Sequence, residues 1–186
     1  VPVSSSSLYE RSFEHDACGF GFVVDIRGRR SHGIVRDALT VLVNLEHRGA
    51  SGAEKNTGDG AGLTVQLPHR FLAGAAAEAG IALPPGHAYG VGMMFLPAEV
   101  ADRIACEEIV AHVAAAEGLP LLGWRDVPTD ATLLGDTARR SQPTIRQAFF
   151  GRPYGMDTMA FERALYIARR QIEETVKRSV IPDRAQ

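Results

Sequence analysis

The sequence predicts a single domain built from both helices and strands. Hydrophobic residues make up 45% of the 186 positions, which is enough to form one core. Several short runs alternate apolar with other residues, as strands do, and longer runs repeat apolar residues at helical spacing. The predicted strands are 19–26, 63–67, 89–96, 121–127 and 145–150, and the predicted helices are 31–48, 97–117 and 159–178.

Cys18 stands directly before the first predicted strand. Apolar and other residues alternate through 19–26, which predicts a strand with at least one buried face. Residues 1–17 lack such a pattern and contain a serine run with few apolar side chains, a composition typical of a leader. We therefore expect residues 1–17 to be a leader and residues 18–186 to form the domain.

A cut between Ala17 and Cys18 would place a free α-amino group on the same residue as the thiol. Such groups titrate at about pH 7.7–8.0, so a useful fraction is neutral at physiological pH and can accept the thiol proton. Cys18 would then be a nucleophile that carries its own base, as in the N-terminal threonine enzymes. From this residue alone, a small buried side chain at a strand end is the more ordinary interpretation.

The predicted helix 31–48 places Arg48 at its C-terminal end. Ser31 is of the residue type that caps helix N-termini, and Gly49 is expected to adopt the left-handed conformation that closes many helices. A cation in the last turn also complements the helix dipole, so helix stabilisation alone would account for Arg48.

Glycines crowd the loop 50–62, which leads into the predicted strand 63–67. Such a loop either turns tightly or lets a ligand approach the backbone closely. Because the strand follows the loop and no helix opens with the dinucleotide-binding glycine pattern, we expect no nucleotide site here.

Composition argues against several classes of partner. The 20 basic and 22 acidic residues are interspersed, and the formal net charge of −2 favours neither nucleic acid nor an anionic membrane. Cys18 and Cys106 are too far apart for metal-ligand spacing and too few for a disulfide framework, which indicates a reducing, cytoplasmic setting. Cys106 is expected in the core, within the helix 97–117. The apolar runs predict neither a membrane span nor a secretory signal.

A series of short motifs follows along the chain: CGFGF at 18–22, LEHRGASGAE at 45–54, GDGAG at 58–62, LGWRDVP at 122–128, and FER with LY between 161 and 166. This series resembles the glutaminase domain that begins the large subunit of glutamate synthase. Each motif is weak alone, but their order over residues 18–178 is specific.

The resemblance implies a class II glutamine amidotransferase, which hydrolyses L-glutamine to glutamate and ammonia. In the full enzyme the ammonia is transferred reductively to 2-oxoglutarate. The implied fold is α+β, that of an N-terminal-nucleophile (Ntn) hydrolase with two stacked, mainly antiparallel sheets between helical layers. By position in the motifs, Cys18 resembles the nucleophile and Arg48 the arginine that holds glutamine's α-carboxylate, while Gly49 would keep that approach open.

The resemblance also implies that this region is partial. The family's oxyanion hole resembles an Asn-Gly pair, and an aspartate receives the α-amino group, but both lie downstream of the matched part. Neither Asn44 nor Asn56 precedes glycine. The isolated chain is therefore expected to be nearly inactive, because removing one oxyanion donor commonly costs about 10²- to 10³-fold in turnover. FMN and an iron–sulfur cluster are implied only for a full-length parent, whose large-subunit remainder and small subunit are the expected partners.

Two alternatives come from other classes. A cysteine peptidase would pair Cys18 with a histidine such as His32 or His47. A remnant or fragment without catalysis would have only a structural role. The peptidase does not account for the ordered motifs, whereas the missing second half of the domain keeps the non-catalytic alternative open.

Overall fold

The computed structural model describes residues 19–49, 54, 57, 58, 60–86, 88–179 and 181 of the protein. The chain divides into two compact units, Val1–Gln66 and Leu67–Gln186. In the first unit, helix α1 spans His32–Asn44 and a 3₁₀ turn spans Glu46–Arg48. The second unit contains α2 (His69–Glu78), β1 (Tyr89–Leu96), α3 (Val100–Ala116), β2 (Leu121–Asp126), α4 (Asp136–Arg140), β3 (Thr144–Gly151) and α5 (Thr158–Arg178).

Helix α1 begins where the sequence predicts. The Ser31 hydroxyl accepts a hydrogen bond from the Gly33 N–H at 3.0 Å, so it caps the first turn. The predicted apolar face is the less exposed one, and its half-buried members are Ile34, Ala38, Val41, Leu42 and Leu45.

The end of α1 differs from the prediction. The helix stops at Asn44, and the chain continues as the 3₁₀ turn. The Arg48 N–H donates to the Leu45 carbonyl at 2.8 Å, and the Gly49 N–H donates to the Glu46 carbonyl at 3.0 Å. Because these tighter bonds satisfy terminal carbonyls, no left-handed residue is needed. Gly49 is extended, with φ −84° and ψ 158°, so the predicted left-handed cap is wrong.

The two strands predicted at 19–26 and 63–67 are also wrong. Both segments lie outside the regular secondary structure of the described residues. Phe20 and Ile26 are 90% and 94% exposed, which contradicts a buried face. Alternation indicates which side chains share a face, but a strand also needs a hydrogen-bonded neighbour, and alternation carries no information about that neighbour.

The structure of the second unit agrees more closely with the elements predicted from the sequence. Strands β1, β2 and β3 match the predicted 89–96, 121–127 and 145–150, and form one antiparallel sheet in the order β1-β3-β2. Helices α3 and α5 match the predicted 97–117 and 159–178 to within three residues at each end. Helices α2 and α4 were not predicted.

Two cores lie on opposite faces of this sheet, because successive side chains of β3 alternate. On one face Ala148 and Phe150 pack with buried residues of α3 and α5, which include Val110 and Phe161. On the other face Phe149 and Tyr89 pack with residues on and after α2, namely Leu72, Ala76 and Ile81. The central strand is thus covered on both faces.

Helix α3 differs from the prediction at its first turns. It begins at Val100, and the Glu99 side chain caps it by accepting a hydrogen bond from the Asp102 N–H at 3.0 Å. Val100 and Ile104, predicted to face inward, are 54% and 50% exposed. The buried face includes Cys106, and at about 100° per residue the two side chains point roughly 120–160° away from it.

No helix of the described residues is long and apolar enough to span a membrane.

We predict that Phe149→Ala destabilises the second unit by about 3–5 kcal/mol, because it opens a cavity under the central strand. Phe149 is fully buried. Phe95→Ala, at a 63% exposed position on β1, is the matched control and should cost less than about 1 kcal/mol. Urea unfolding followed by the fluorescence of Trp124, the one tryptophan, measures both. Equal losses would contradict the assignment of this core.

Candidate functional site

Arg48 is the last residue of the 3₁₀ turn that follows α1. Its side chain is exposed, and among the described residues it takes part in none of the ion pairs or side-chain hydrogen bonds. An exposed guanidinium without a carboxylate partner in the protein can bind a carboxylate of a ligand and donate two parallel hydrogen bonds to it.

The stem of Arg48 lies against the backbone of Gly19. A methyl group built on Gly19 would be 3.1 Å from Arg48 Cβ, 3.3 Å from Arg48 Cγ and 3.1 Å from Leu45 Cδ2. Distances this short leave no room for a side chain without movement of the neighbours. The structure therefore brings the turn that carries Arg48 into direct contact with the residue that follows Cys18 in the sequence.

Cys18, the predicted nucleophile, lies outside the described residues. So do residues 50–53, 55, 56 and 59 of the glycine-rich loop. In the described part of this loop, the Thr57 hydroxyl donates to Glu54 Oε2 at 2.8 Å, and Gly60 has φ +80°, a conformation that favours glycine. Both interpretations of this loop, a tight turn and the close approach of a ligand, stay predictions.

Gly49 is exposed, and a methyl group built on it would meet only the Glu46 carbonyl oxygen, at 3.4 Å. That distance is an ordinary contact, and the extended backbone suits any residue. Its predicted role beside Arg48 remains a prediction.

The histidines considered for a peptidase lie at opposite ends of α1. His32 is the first residue of the helix and His47 lies in the 3₁₀ turn beyond it. Their separation is on the order of 20 Å at 1.5 Å per helical residue, so one thiol cannot approach both. His47 Nδ1 donates to the Asn44 carbonyl at 3.0 Å, which leaves Nε2 to accept a proton.

Cys106 is 5% exposed in α3, which confirms its predicted place in the core. Burial raises the pKa of its thiol, and the nearby charges of Asp102 and Glu107 raise it further. The thiol therefore stays protonated at neutral pH. A protonated, buried thiol is a poor nucleophile, so Cys106 does not compete with a reactive cysteine elsewhere.

A groove of about 940 Å³ runs along β1 and α5 in the second unit. Apolar side chains form most of its lining, among them Met94, Leu165 and Ile172. Neither Arg48 nor Gly49 is among its lining residues.

Comparison with known families decides the class of the protein. A family model for class II glutamine amidotransferases matches residues 18–185. The chain belongs to the class II glutamine amidotransferases. The match begins at Cys18 and covers every motif on which the resemblance depends, so the predicted family is confirmed.

Curated relatives of this amidotransferase are glutamate synthases. It is 40% identical over 170 residues to the glutamate synthase [NADPH] large chain of Bacillus subtilis, an alignment that covers 91% of this chain and 11% of that protein. It is 40% identical over 156 residues to ferredoxin-dependent glutamate synthase 2 of Synechocystis, covering 84% and 10%. It is 39% identical over 175 residues to the glutamate synthase [NADH] of Schizosaccharomyces pombe, covering 90% and 8%. The chain thus spans about a tenth of these relatives.

Gly19 was not among the site residues predicted from the sequence of this amidotransferase. Its signal is the pair Gly19 and Gly21 inside an apolar run, because glycine in a strand-like pattern often marks close approach of another segment. The pattern does not say which segment approaches, and the structure identifies it as the turn at Arg48.

Proposed function

We propose that this chain is the glutaminase region of a glutamate synthase, which releases ammonia from L-glutamine for use elsewhere in a longer enzyme. The observation that carries the proposal is the family match from Cys18 onward, together with 40% identity to a glutamate synthase large chain. Because the chain spans about a tenth of such relatives, reductive transfer to 2-oxoglutarate belongs to the longer protein.

In this proposal Cys18 is the nucleophile, and its own α-amine is the base after residues 1–17 are removed. The amine takes the thiol proton, and the thiolate attacks the side-chain amide carbon of glutamine. The carbon–nitrogen bond then breaks, and the amine returns the proton to the departing ammonia. Water attacks the resulting thioester, so that glutamate leaves and the thiol is restored.

Arg48 binds the α-carboxylate of glutamine in the same proposal, and Gly49 keeps its approach open. Exposure of Arg48 and the lack of a carboxylate partner among the described side chains support this role. The carboxylate is far from the reacting amide and does not change during the reaction. Arg48 should therefore contribute to substrate affinity more than to the chemical step.

We infer the layered Ntn-hydrolase sandwich as the fold of the complete domain. Two features of the second unit support it. Helices α3 and α5 cover one face of the antiparallel sheet, as an outer helical layer would. On the opposite face, α2 covers the start of β1 at Tyr89, whereas Met93 and Phe95 further along the strand are 49% and 63% exposed and form apolar surface that a second sheet would bury.

The remaining parts of the reaction are assigned to the longer protein. Its oxyanion donors and α-amino-binding acid lie outside the matched motifs, so the 186-residue chain should have little activity alone. The two cysteines, Cys18 and Cys106, are fewer than the four thiolates of a typical iron–sulfur cluster. The cluster is therefore assigned to the longer parent protein, and the same proposal assigns FMN and contacts with a small subunit to it. We place the enzyme in the cytoplasm.

Removal of the leader is the first expected outcome. Active full-length enzyme should lack residues 1–17 and begin at Cys18, because only then does the cysteine carry a free amine. Intact-mass measurement and N-terminal sequencing check this. A fully active preparation that retains the leader would rule out the amine as the base.

Cys18→Ala in the full-length enzyme should abolish glutamine-dependent glutamate synthesis and leave ammonia-dependent synthesis largely intact, because added ammonia bypasses hydrolysis. Cys106→Ala is the matched control and should change neither rate by much, since that thiol is buried. Steady-state rates with each nitrogen donor measure the effect. Loss of both activities in Cys18→Ala would argue against a separate glutaminase, and loss of neither would favour the non-catalytic alternative.

Arg48→Lys should raise the KM for glutamine and lower kcat/KM by about ten- to a hundred-fold. Lysine keeps the charge but loses the planar fork, and a lost charge-assisted hydrogen bond costs roughly 1.5–3 kcal/mol. The rate of alkylation of Cys18 by iodoacetamide should stay unchanged. Unaltered glutamine kinetics would contradict carboxylate binding by Arg48 and would favour its alternative role, a cation that stabilises the end of the helical segment.

A further inference from the structure

The residue that follows Cys18 has no space for a side chain unless its neighbours move, and the groups that fill this space are the stem of Arg48 and the side chain of Leu45. The methyl carbon of an alanine at position 19 would lie 3.1 Å from Arg48 Cβ and 3.3 Å from Arg48 Cγ. Gly19 does not have a positive φ, so alanine suits its backbone, and only the neighbours oppose it. The close approach, and not the conformational freedom of glycine, is what this position requires.

We propose that Gly19 is a positioning residue for glutamine, because it sets how far the turn carrying Arg48 stands from the segment that begins with the nucleophile. The inference rests on the proposed roles of Cys18 and Arg48. No ion pair of the guanidinium fixes that distance among the described residues. The glycine contact therefore determines where the carboxylate of glutamine is held relative to the thiol.

A second glycine of the same segment provides the comparison. A methyl group on Gly21 would lie 2.5 Å from Val41 Cγ1, a worse overlap than any at Gly19. It would meet the last turn of α1 instead of the 3₁₀ turn, and its three nearest atoms all belong to Val41. If packing alone mattered, Gly21→Ala would be the more harmful change. If the position of Arg48 matters, Gly19→Ala should affect glutamine binding more than Gly21→Ala does.

The test uses the full-length enzyme and measures glutamine kinetics together with two thiol reagents. A displacement of about 1 Å can cost up to 10²-fold, so a shift of a few tenths of an ångström in Gly19→Ala should raise the KM for glutamine about 3- to 10-fold, with a smaller change in kcat. Inactivation by a diazoketone analogue of glutamine, which carries the α-carboxylate, should slow by a similar factor. Alkylation by iodoacetamide, which lacks that group, should keep its rate.

Gly21→Ala is the matched control and should change the KM less than about twofold. If it fails to fold, Gly21→Ala/Val41→Ala removes the overlap, because the methyl group would then be 3.8 Å from the remaining Cβ. Gly19→Ala/Leu45→Ala removes the leucine contact at 3.1 Å and leaves the contact with the stem of Arg48. This double variant should still show the raised KM when compared with Leu45→Ala alone.

An unchanged KM in Gly19→Ala, or equal increases in the two glycine variants, would overturn the inference. So would a fall in the iodoacetamide rate as large as the fall with the diazoketone, since the nucleophile itself would then be disturbed. These outcomes differ from failure of the proposed function. In that case Cys18→Ala would leave glutamine-dependent synthesis unchanged, whatever the glycine variants do.

Discussion

Strand β3 is the constraint on which the second unit depends. It is the middle strand, paired along its length with β1 and over most of it with β2, and its side chains alternate between two apolar cores. Phe149 and Phe150 point to opposite faces and are both buried. Helix α2 covers one face and helices α3 and α5 the other, so a change in the register of this strand would exchange the two cores.

Most of the second unit could be predicted from its sequence because its signals are local. Helix α5 repeats apolar residues at helical spacing, and β3 is bounded by turn residues and carries apolar side chains for both faces. Helix α2 was missed because its buried side chains include Ala75 and Ala76, too small to produce a strong hydrophobic period. In the first unit the segments 19–26 and 63–67 have the alternation of strands, but alternation does not supply a pairing partner.

The candidate site likewise has features that local sequence predicts and features that it does not. Arg48 was found from a motif of consecutive residues, and its position at the end of a helical segment followed from the pattern of α1. The 3₁₀ turn could not be predicted, because it depends on which carbonyls the last N–H groups reach. The contact between Gly19 and Arg48 joins positions 29 residues apart in the sequence, so no local pattern contains it.

If Arg48 binds glutamine as proposed, the contacts that position its side chain differ from the contacts that would bind the ligand. Backbone contact with Gly19 and the hydrogen bonds of the 3₁₀ turn hold the stem, while the guanidinium keeps no carboxylate partner among the described residues. An ion pair would have fixed the same side chain, but it would have to break before a ligand carboxylate could bind. A glycine costs about 0.5–1 kcal/mol of chain entropy relative to alanine. In the proposed role, Arg48 is held in place by groups that need not be displaced when glutamine binds.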